Sequence, residues 1–340
     1  MSVAMSRTPS YVASMPVTSP ARGAVREFAE AVALGLSDTP RWIPSRFLYD
    51  ARGSQLFEAI CDLPEYYLTR AEASILRREA RRFRELTGPV TLVELGSGSA
   101  VKTDHLLRAY AAGGKPVQYV PVDVSASILR MAAERIEETF PSVNVEGVHG
   151  EYERAFPLLD AYAPALLLFL GSTIGNFNRA ESLAFWRRVA QAMPAGSWVL
   201  LGADLVKDAA ELEAAYNDAA GVTAAFTRNL FARMNAELGA GLDLDVIEHE
   251  AVWNPEWQRI EIGARFRRAQ TLDVAPLGRR FAIAAGDLVL TEISRKFVLD
   301  HLQAYLDCFG FETVHAATDD RKRFGVLLLR RKEDSRDHDD

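Results

Sequence analysis

The chain reads as an α/β protein: a parallel sheet flanked by helices, with a second α+β unit set into it. Three observations lead to that reading. Short segments that are apolar on both faces alternate with helical patterns between residues 91 and 201, as expected of strands buried within a parallel sheet. The alternation stops near residue 207 and gives way to a helical stretch followed by strands around turns. A last helix and strand pair, ending near Leu329, then resume the first pattern and close its sheet.

Taken in order, residues 1–24 are rich in Ser, Pro and small side chains and read as a mobile tail. A helix follows, then two aromatic, irregular segments, WIPSRFLYD and LPEYYLTR. Thr69 and Glu72 have the spacing of a capping box and are expected to open the next helix, with Gly88 and Pro89 closing it. Ile75, Leu76, Phe83 and Leu86 fall on one face of that helix, so the arginines from Arg77 to Arg84 form its solvated side. Strands are expected at Thr91–Leu95, Gln118–Val122, Val143–Val148, Ala165–Leu170 and Trp198–Leu201. The clearest helix between them runs from Ser127 to Phe140. A helix over about 207–236 leads into strands at Val246–Val252 and Arg259–Phe266 around Asn254-Pro255-Glu256, then near Phe281–Ala284 and Leu288–Glu292. The final helix spans about Lys296 to Cys308, and the final strands lie near Phe311–His315 and Gly325–Leu329. The expected division is a core of 71–206 plus 297–331, a second unit of 25–70 plus 207–296, and a charged, frayed tail at 332–340.

Composition narrows the function. Of 340 residues, 49% are hydrophobic and 25% charged, the profile of a soluble globular protein. A net charge of -7 speaks against nucleic-acid binding. No apolar run reaches the length of about 18 residues needed to cross a membrane, and the N-terminus lacks the apolar centre of a secretory signal. The two cysteines, Cys61 and Cys308, have no CxxC neighbour and are expected as buried small hydrophobes in a reduced, cytoplasmic protein. The six histidines form no closely spaced set, so no metal site is expected.

The strongest local motif is Val93-Glu94-Leu95-Gly96-Ser97-Gly98, at the end of the first strand. Its glycines let a ligand approach the backbone, with a helix N-terminus expected to face it. The third glycine of a dinucleotide fingerprint is missing, since Val101 and Lys102 stand there, and this weakens a nicotinamide reading. The acidic residue just before the glycines, Glu94, instead resembles the first motif of class I methyltransferases. Asp123 ends the second strand, where a carboxylate can accept both ribose hydroxyls; taken alone it is also a helix N-cap. Glu151-Tyr152 follow the third strand, where methyltransferases place an adenine-binding acid and an aromatic. All three acids are expected along the carboxyl edge of the sheet.

Five segments then become specific: LPEYYLTRAE, LVELGSGSAVKT, FLGSTIGNF, AYNDAAGVTAAF and LTEISRKF. In order and spacing they resemble the histidine-specific N-alpha-methyltransferase family, from about Pro44 to Leu329. The resemblance implies a class I, Rossmann-like S-adenosylmethionine-dependent core with a separate substrate-binding domain. It implies trimethylation of the α-amine of free L-histidine to hercynine, on the way to ergothioneine, by a monomer without a metal. It assigns Tyr49, Gly96, Lys102, Asp123, Glu151 and Tyr152 to S-adenosylmethionine. To histidine it assigns Tyr66, Gly171, Asn176, Tyr216, Glu292 and Ser294. The chain departs from the family in carrying Glu151 where Asp is common and Ile262 where Met is common.

Methyl transfer from a sulfonium needs alignment and exclusion of water rather than a covalent nucleophile. Asn176 and Tyr216 can donate to the substrate carboxylate, while Asn176 and the Gly171 carbonyl can orient the amine; these three are the expected catalytic residues. Glu292 and Ser294, two apart in an extended segment, share a face and suit an imidazole edge. The same fold acting on Trp or Tyr is the first competing reading, an S-adenosylmethionine-sensing protein the second, and a nicotinamide oxidoreductase the third.

Overall fold

The computed structural model describes residues 20–333; the expected tails otherwise fall outside the described residues. At their inner edges two expectations change. Residues 20–24 belong to helix α1 (Pro20–Leu36). Lys332 is tied down rather than frayed, its N–H donating to the Gly310 carbonyl (2.8 Å) and its Nζ to Asp307 (2.5 Å).

Helix α2 (Ala51–Cys61) starts at Asp50, whose carboxylate accepts from the Gly53 N–H at 2.7 Å. Helix α3 (Leu68–Thr87) begins earlier than a capping box at Thr69 requires, with no side-chain cap at all. Thr69 and Glu72 lie inside its first turns, and Glu72 is fully buried against the sheet. The C-terminal half of the reading holds: Ile75, Leu76 and Phe83 are buried, and Gly88 ends the helix with φ +67°.

The core then alternates: β1 (Thr91–Leu95), α4 (Asp104–Tyr110), β2 (Val117–Asp123), α5 (Ala126–Thr139), β3 (Val143–Val145), β4 (Val148–His149), α6 (Phe156–Ala161), β5 (Ala165–Phe169), α7 (Arg179–Ala192) and β6 (Trp198–Asp204). The strand expected over Val143–Val148 is thus broken into two short ones. The insertion holds α8 (Ala209–Ala214), α9 (Val222–Leu238), β7 (Ile247–Asn254), β8 (Arg259–Phe266), β9 (Gln270–Val274), β10 (Arg279–Ile283) and β11 (Leu288–Arg295). The single helix expected over 207–236 splits because Asp218 accepts from the N–H groups of Val222 and Thr223, both at 2.8 Å, and starts a new helix after Gly221. Strand β9 was not anticipated; it pairs with β10 antiparallel. The chain returns to the core with α10 (Leu299–Asp307) and the hairpin β12 (Phe311–Thr318) and β13 (Phe324–Arg331). Helix α10 starts later than expected because Lys296 and Phe297 stay extended, the Phe297 N–H donating to the Asp204 carbonyl at 2.9 Å.

The main sheet has the order β12-β13-β6-β5-β1-β2-β3, with β4 beside β2. Strands β1 to β6 run parallel where they pair; β13 is antiparallel to both β6 and β12. Successive strand residues serve opposite faces. Leu92, Leu166, Leu200 and Leu328 join one core, against α3 and α4; Val93, Leu167, Leu201 and Leu327 join the other, against α7 and α10. All five side chains of β5 are fully buried, each worth about 1.5–3 kcal/mol for the larger ones. The first core continues into the insertion through Phe226, Phe231 and Ile260, and Phe28 of α1 joins it. The N-terminal segment packs there too: Ile43 donates to the Leu290 carbonyl at 2.8 Å, and the Asn229 amide to Asp50 at 2.8 Å. The three-stranded sheet β11-β8-β7 carries the inner face of the insertion.

Candidate active site

The strand order reverses between β1 and β5, and the crevice outside the carboxyl ends of such strands is where ligands bind in open α/β sheets. The loop after β1 has Gly96 at φ +63° and Gly98 at φ +51°. A Cβ on Gly96 would sit 3.4 Å from the Tyr152 hydroxyl. The Gly96 N–H donates to the Val122 carbonyl at 2.8 Å, and the Gly98 N–H to Asp123 Oδ2 at 2.9 Å. The Ser125 N–H holds the other Asp123 oxygen at 2.9 Å. Burial pushes the Asp123 carboxyl up, and these backbone donors oppose it. The following helix does not begin until Asp104, so turns rather than a helix N-terminus face the crevice.

Of the three acids expected along this edge, Glu94 is displaced. It is 3% exposed and accepts from Thr103 (2.9 and 2.8 Å) and Tyr119 (2.5 Å), closing the glycine loop from below. Burial lifts its carboxyl to about 7 against those hydrogen bonds. Glu151 does reach the edge, half-exposed, and pairs with Arg46 Nε at 3.1 Å. Tyr152 lies edge-on to Phe169 at 5.7 Å and to Phe177 at 6.2 Å. Tyr49 packs edge-on to Phe57 and Phe226, both at 5.4 Å. Burial first, and then the nearby Glu292, Tyr152, Cys61 and Asp123, hold its phenol protonated. It therefore stands between the sheet edge and the insertion. Lys102 forms an ion pair with Glu72. Burial alone would lower the Lys102 ammonium; Glu72 more than reverses this.

Gly171, just past β5, takes φ +73°, and its N–H donates to both Glu72 oxygens at 2.8 and 3.0 Å. Glu72 thus binds the loop after β1, through Lys102, to the loop after β5. It passes so close to β6 that a Cβ on Gly202 would lie 1.9 Å from its Oε1. Asn176 sits in a 3-10 turn (Thr173–Asn176) against β11, where a Cβ on Gly175 would meet the Arg295 carbonyl oxygen at 2.8 Å. The Asn176 Nδ2 donates to Glu292 Oε1 at 3.1 Å. Burial pushes Glu292 up to about 7, opposed by Lys296 and Asn176. Ile262 pairs with Glu292 across β8 and β11, beside a register shift between Leu290 and Glu292. Tyr66 lies edge-on to Tyr216 at 5.9 Å, and the Tyr216 hydroxyl shares a 2.9 Å hydrogen bond with Ser294.

The sequence-derived residues are therefore brought into one region, but they hang on groups that the reading missed. Lys296, fully buried, donates to Tyr216 and to Ser294, each at 2.8 Å, and pairs with Asp204 at 2.8 Å. Burial would lower its ammonium; Asp204, the first opposing group, raises it above its ordinary value. Asp204, at the end of β6, also accepts from Tyr67 (2.9 and 2.8 Å) and from Lys207 (2.6 Å). Burial pulls Lys207 down to about 8 against the pull of Asp204. The available signal was a carboxylate ending an otherwise apolar strand, WVLLGAD.

Among the described residues, no group of three or more His, Cys, Asp or Glu side chains is placed to hold a metal ion, and no helix is long and apolar enough to cross a membrane. Both cysteines are free; Cys61 is partly buried, but Cys308 is exposed at the end of α10, contrary to expectation.

A family model described as histidine-specific methyltransferase, SAM-dependent, matches residues 28–331. The chain is 43% identical over 297 residues to a histidine N-alpha-methyltransferase of Mycolicibacterium smegmatis, covering 87% of this chain and 92% of that one. It is 31% identical to ergothioneine biosynthesis protein 1 of Neurospora crassa, over 86% of this chain and 33% of that longer protein. It is 29% identical to a 4-dimethylallyltryptophan N-methyltransferase of Claviceps fusiformis, over 55% of this chain and 56% of that one.

Proposed function

The chain belongs to the family of SAM-dependent, histidine-specific methyltransferases, and from that premise we propose that it methylates the α-amine of free L-histidine three times, giving hercynine for ergothioneine synthesis. The observation that carries the reading is the 3.1 Å bond from Asn176 to Glu292. It joins a carboxylate of the insertion, suited to an imidazole N–H, to the loop at the switch point of the sheet.

S-adenosylmethionine, when bound, supplies a methyl group already activated by its sulfonium. The crevice suits it: two left-handed glycines clear the backbone, and Asp123 is held by backbone donors with lone pairs to spare. Asp123 would hold the ribose, Glu151 and Tyr152 the adenine, and Gly96, Lys102 and Tyr49 the remainder. On the substrate side, Tyr66 would wall the pocket while Glu292 and Ser294 take the imidazole. Asn176 has a second amide N–H left for the substrate carboxylate, joined by Tyr216. The Gly171 carbonyl would point at the amine, on a residue whose own N–H is held by Glu72. We assign the cofactor to 71–206 plus 297–331 and the substrate to 25–70 plus 207–296. We further propose that the enzyme works in the cytoplasm as a monomer.

The Claviceps relative favours a second reading, an indole substrate on the same frame. Glu292 and Ser294 oppose it, because an indole offers one ring N–H where an imidazole offers two ring nitrogens, and so can bond only one of the pair. Mass spectrometry of histidine, Trp and Tyr incubated together with enzyme and excess S-adenosylmethionine tests both. Histidine should gain three methyl groups, and Trp and Tyr none. A product that stops at one methyl, or a preference for Trp, overturns the assignment.

A further inference from the structure

Every amino acid presents a carboxylate, yet among the described residues no arginine side chain hydrogen-bonds to Asn176, Tyr216, Glu292 or Ser294. The cationic group that does reach this wall is the buried ammonium of Lys296, behind the two hydroxyls. Its three N–H donors have three partners: Asp204 Oδ2, Tyr216 Oη and Ser294 Oγ. Both hydroxyl oxygens therefore accept from Lys296, which fixes where their own protons point. Those two protons have one bond to share, the 2.9 Å contact between Tyr216 and Ser294. Whichever hydroxyl donates there, the proton of the other is left over, with no acceptor among the described residues.

Behind the hydroxyls, Asp204 faces two ammonium groups, Lys296 at 2.8 Å and Lys207 at 2.6 Å, with Glu211 near Lys207 and Glu292 near Lys296. The Lys296 ammonium is buried, where charge interactions are stronger than in water. Nothing in the family resemblance or in the sequence motifs assigned Lys296 or Asp204 a role.

Resting on the histidine reading above, we propose that Lys296 is a positioning residue that recognises the substrate carboxylate at second hand. Its ammonium supplies the counter-charge, and the Tyr216–Ser294 pair passes it forward as a hydroxyl donor directed at the ligand. Asp204 keeps the lysine charged and in place. The insertion's last strand thereby ends in a substrate-reading device anchored on the core strand β6.

The test uses a ligand pair that differs at this carboxylate. L-histidinamide replaces the carboxylate by a neutral amide. Calorimetry on the wild-type protein should show histidine binding at least about tenfold more tightly than histidinamide. Lys296→Met keeps the length of the side chain and leaves Asp204 paired with Lys207 and Tyr67. It should weaken histidine at least about tenfold, leave histidinamide within about threefold, and so erase the discrimination. Lys296→Arg should restore part of it. Equal loss for both ligands would mean that Lys296 only supports the fold, and unchanged discrimination would remove it from recognition; either result overturns the proposal. If Lys296→Met does not fold, Tyr216→Phe breaks the relay while Lys296 keeps Asp204, and persistence of the full discrimination there overturns it equally. A wild-type protein that binds neither ligand would instead refute the histidine reading itself.

Discussion

The wall of the site along the sheet edge is made largely of main chain: left-handed glycines, the N–H groups of Gly98 and Ser125, and an Asp123 held between them. Its remaining acid, Glu151, is half in solvent. The opposite wall, on β11, the end of β6 and the turn after α8, is made of polar and charged side chains, mostly buried and linked by hydrogen bonds: Glu292, Ser294, Tyr216, Lys296 and Asp204. The first wall accepts a ligand by leaving room for it. The second accepts one by leaving specific donors and acceptors incomplete. A wall of the first kind tolerates variation in the group it binds, whereas a wall of the second kind rejects analogues that leave buried polar atoms unpaired.

Four changes test this contrast. The largest effect is expected from Glu292→Ala, which should lower kcat/KM for histidine at least about 100-fold, equivalent to about 2.7 kcal/mol. Binding of S-adenosylhomocysteine, followed by calorimetry, should change far less, and a matching loss on both sides would show that the walls are not separable. Asp123→Ala comes next. It removes charge-assisted bonds of about 1.5–3 kcal/mol each and should weaken S-adenosylhomocysteine at least about tenfold; unchanged affinity would dismiss the ribose assignment.

The third concerns pH. Burial raises Glu292 from 4.5 in its ordinary setting to about 7 in the fold. The native state then holds the proton more tightly than the unfolded chain. The stability this confers is complete below pH 4.5 and is lost as pH rises through about 7. Glu292→Gln should therefore raise Tm relative to wild type by about 2 °C or more at pH 8 and give no such gain at pH 4.5. A gain of equal size at both pH values would trace the effect to packing instead of charge. The smallest effect belongs to Arg46→Ala. A pair between half-exposed groups is worth about 0–1 kcal/mol, so S-adenosylhomocysteine affinity should stay within about fivefold. A hundredfold drop would place Arg46 in direct contact with the cofactor.

The same contrast explains what could be read from the sequence. The glycine loop, Asp123 and the strands on either side are encoded within some 30 positions, in residue types with strong local preferences. Apart from the one between Lys296 and Ser294, the bonds of the other wall join residues 78 to 116 positions apart. No spacing rule spans such a gap, and Glu292, Ser294 and Tyr216 were reached through the family resemblance. Lys296 lies inside the quoted segment LTEISRKF and was still passed over as the start of the last helix, where a lysine ordinarily faces water. Glu72 was misread for a different reason. Thr69-x-x-Glu72 satisfies the local pattern of a helix cap, but tertiary contacts 99 positions away, at Gly171, claim the carboxylate. The inserted helix was read as continuous because the cap at Asp218 lies within an apolar-periodic run.

The contact between Glu72 and Gly202 constrains how this sequence can change over time. Alanine is the smallest possible enlargement at position 202, and its methyl carbon would fall 1.9 Å from the Glu72 carboxylate. Shortening Glu72 to relieve that overlap would abandon Lys102 and the Gly171 peptide together. Either replacement alone disturbs these bonds, so the two positions constrain each other. Descendants of this chain that keep methylating should inherit the glycine and the glutamate as a unit, and a lineage that has lost one should have lost the other.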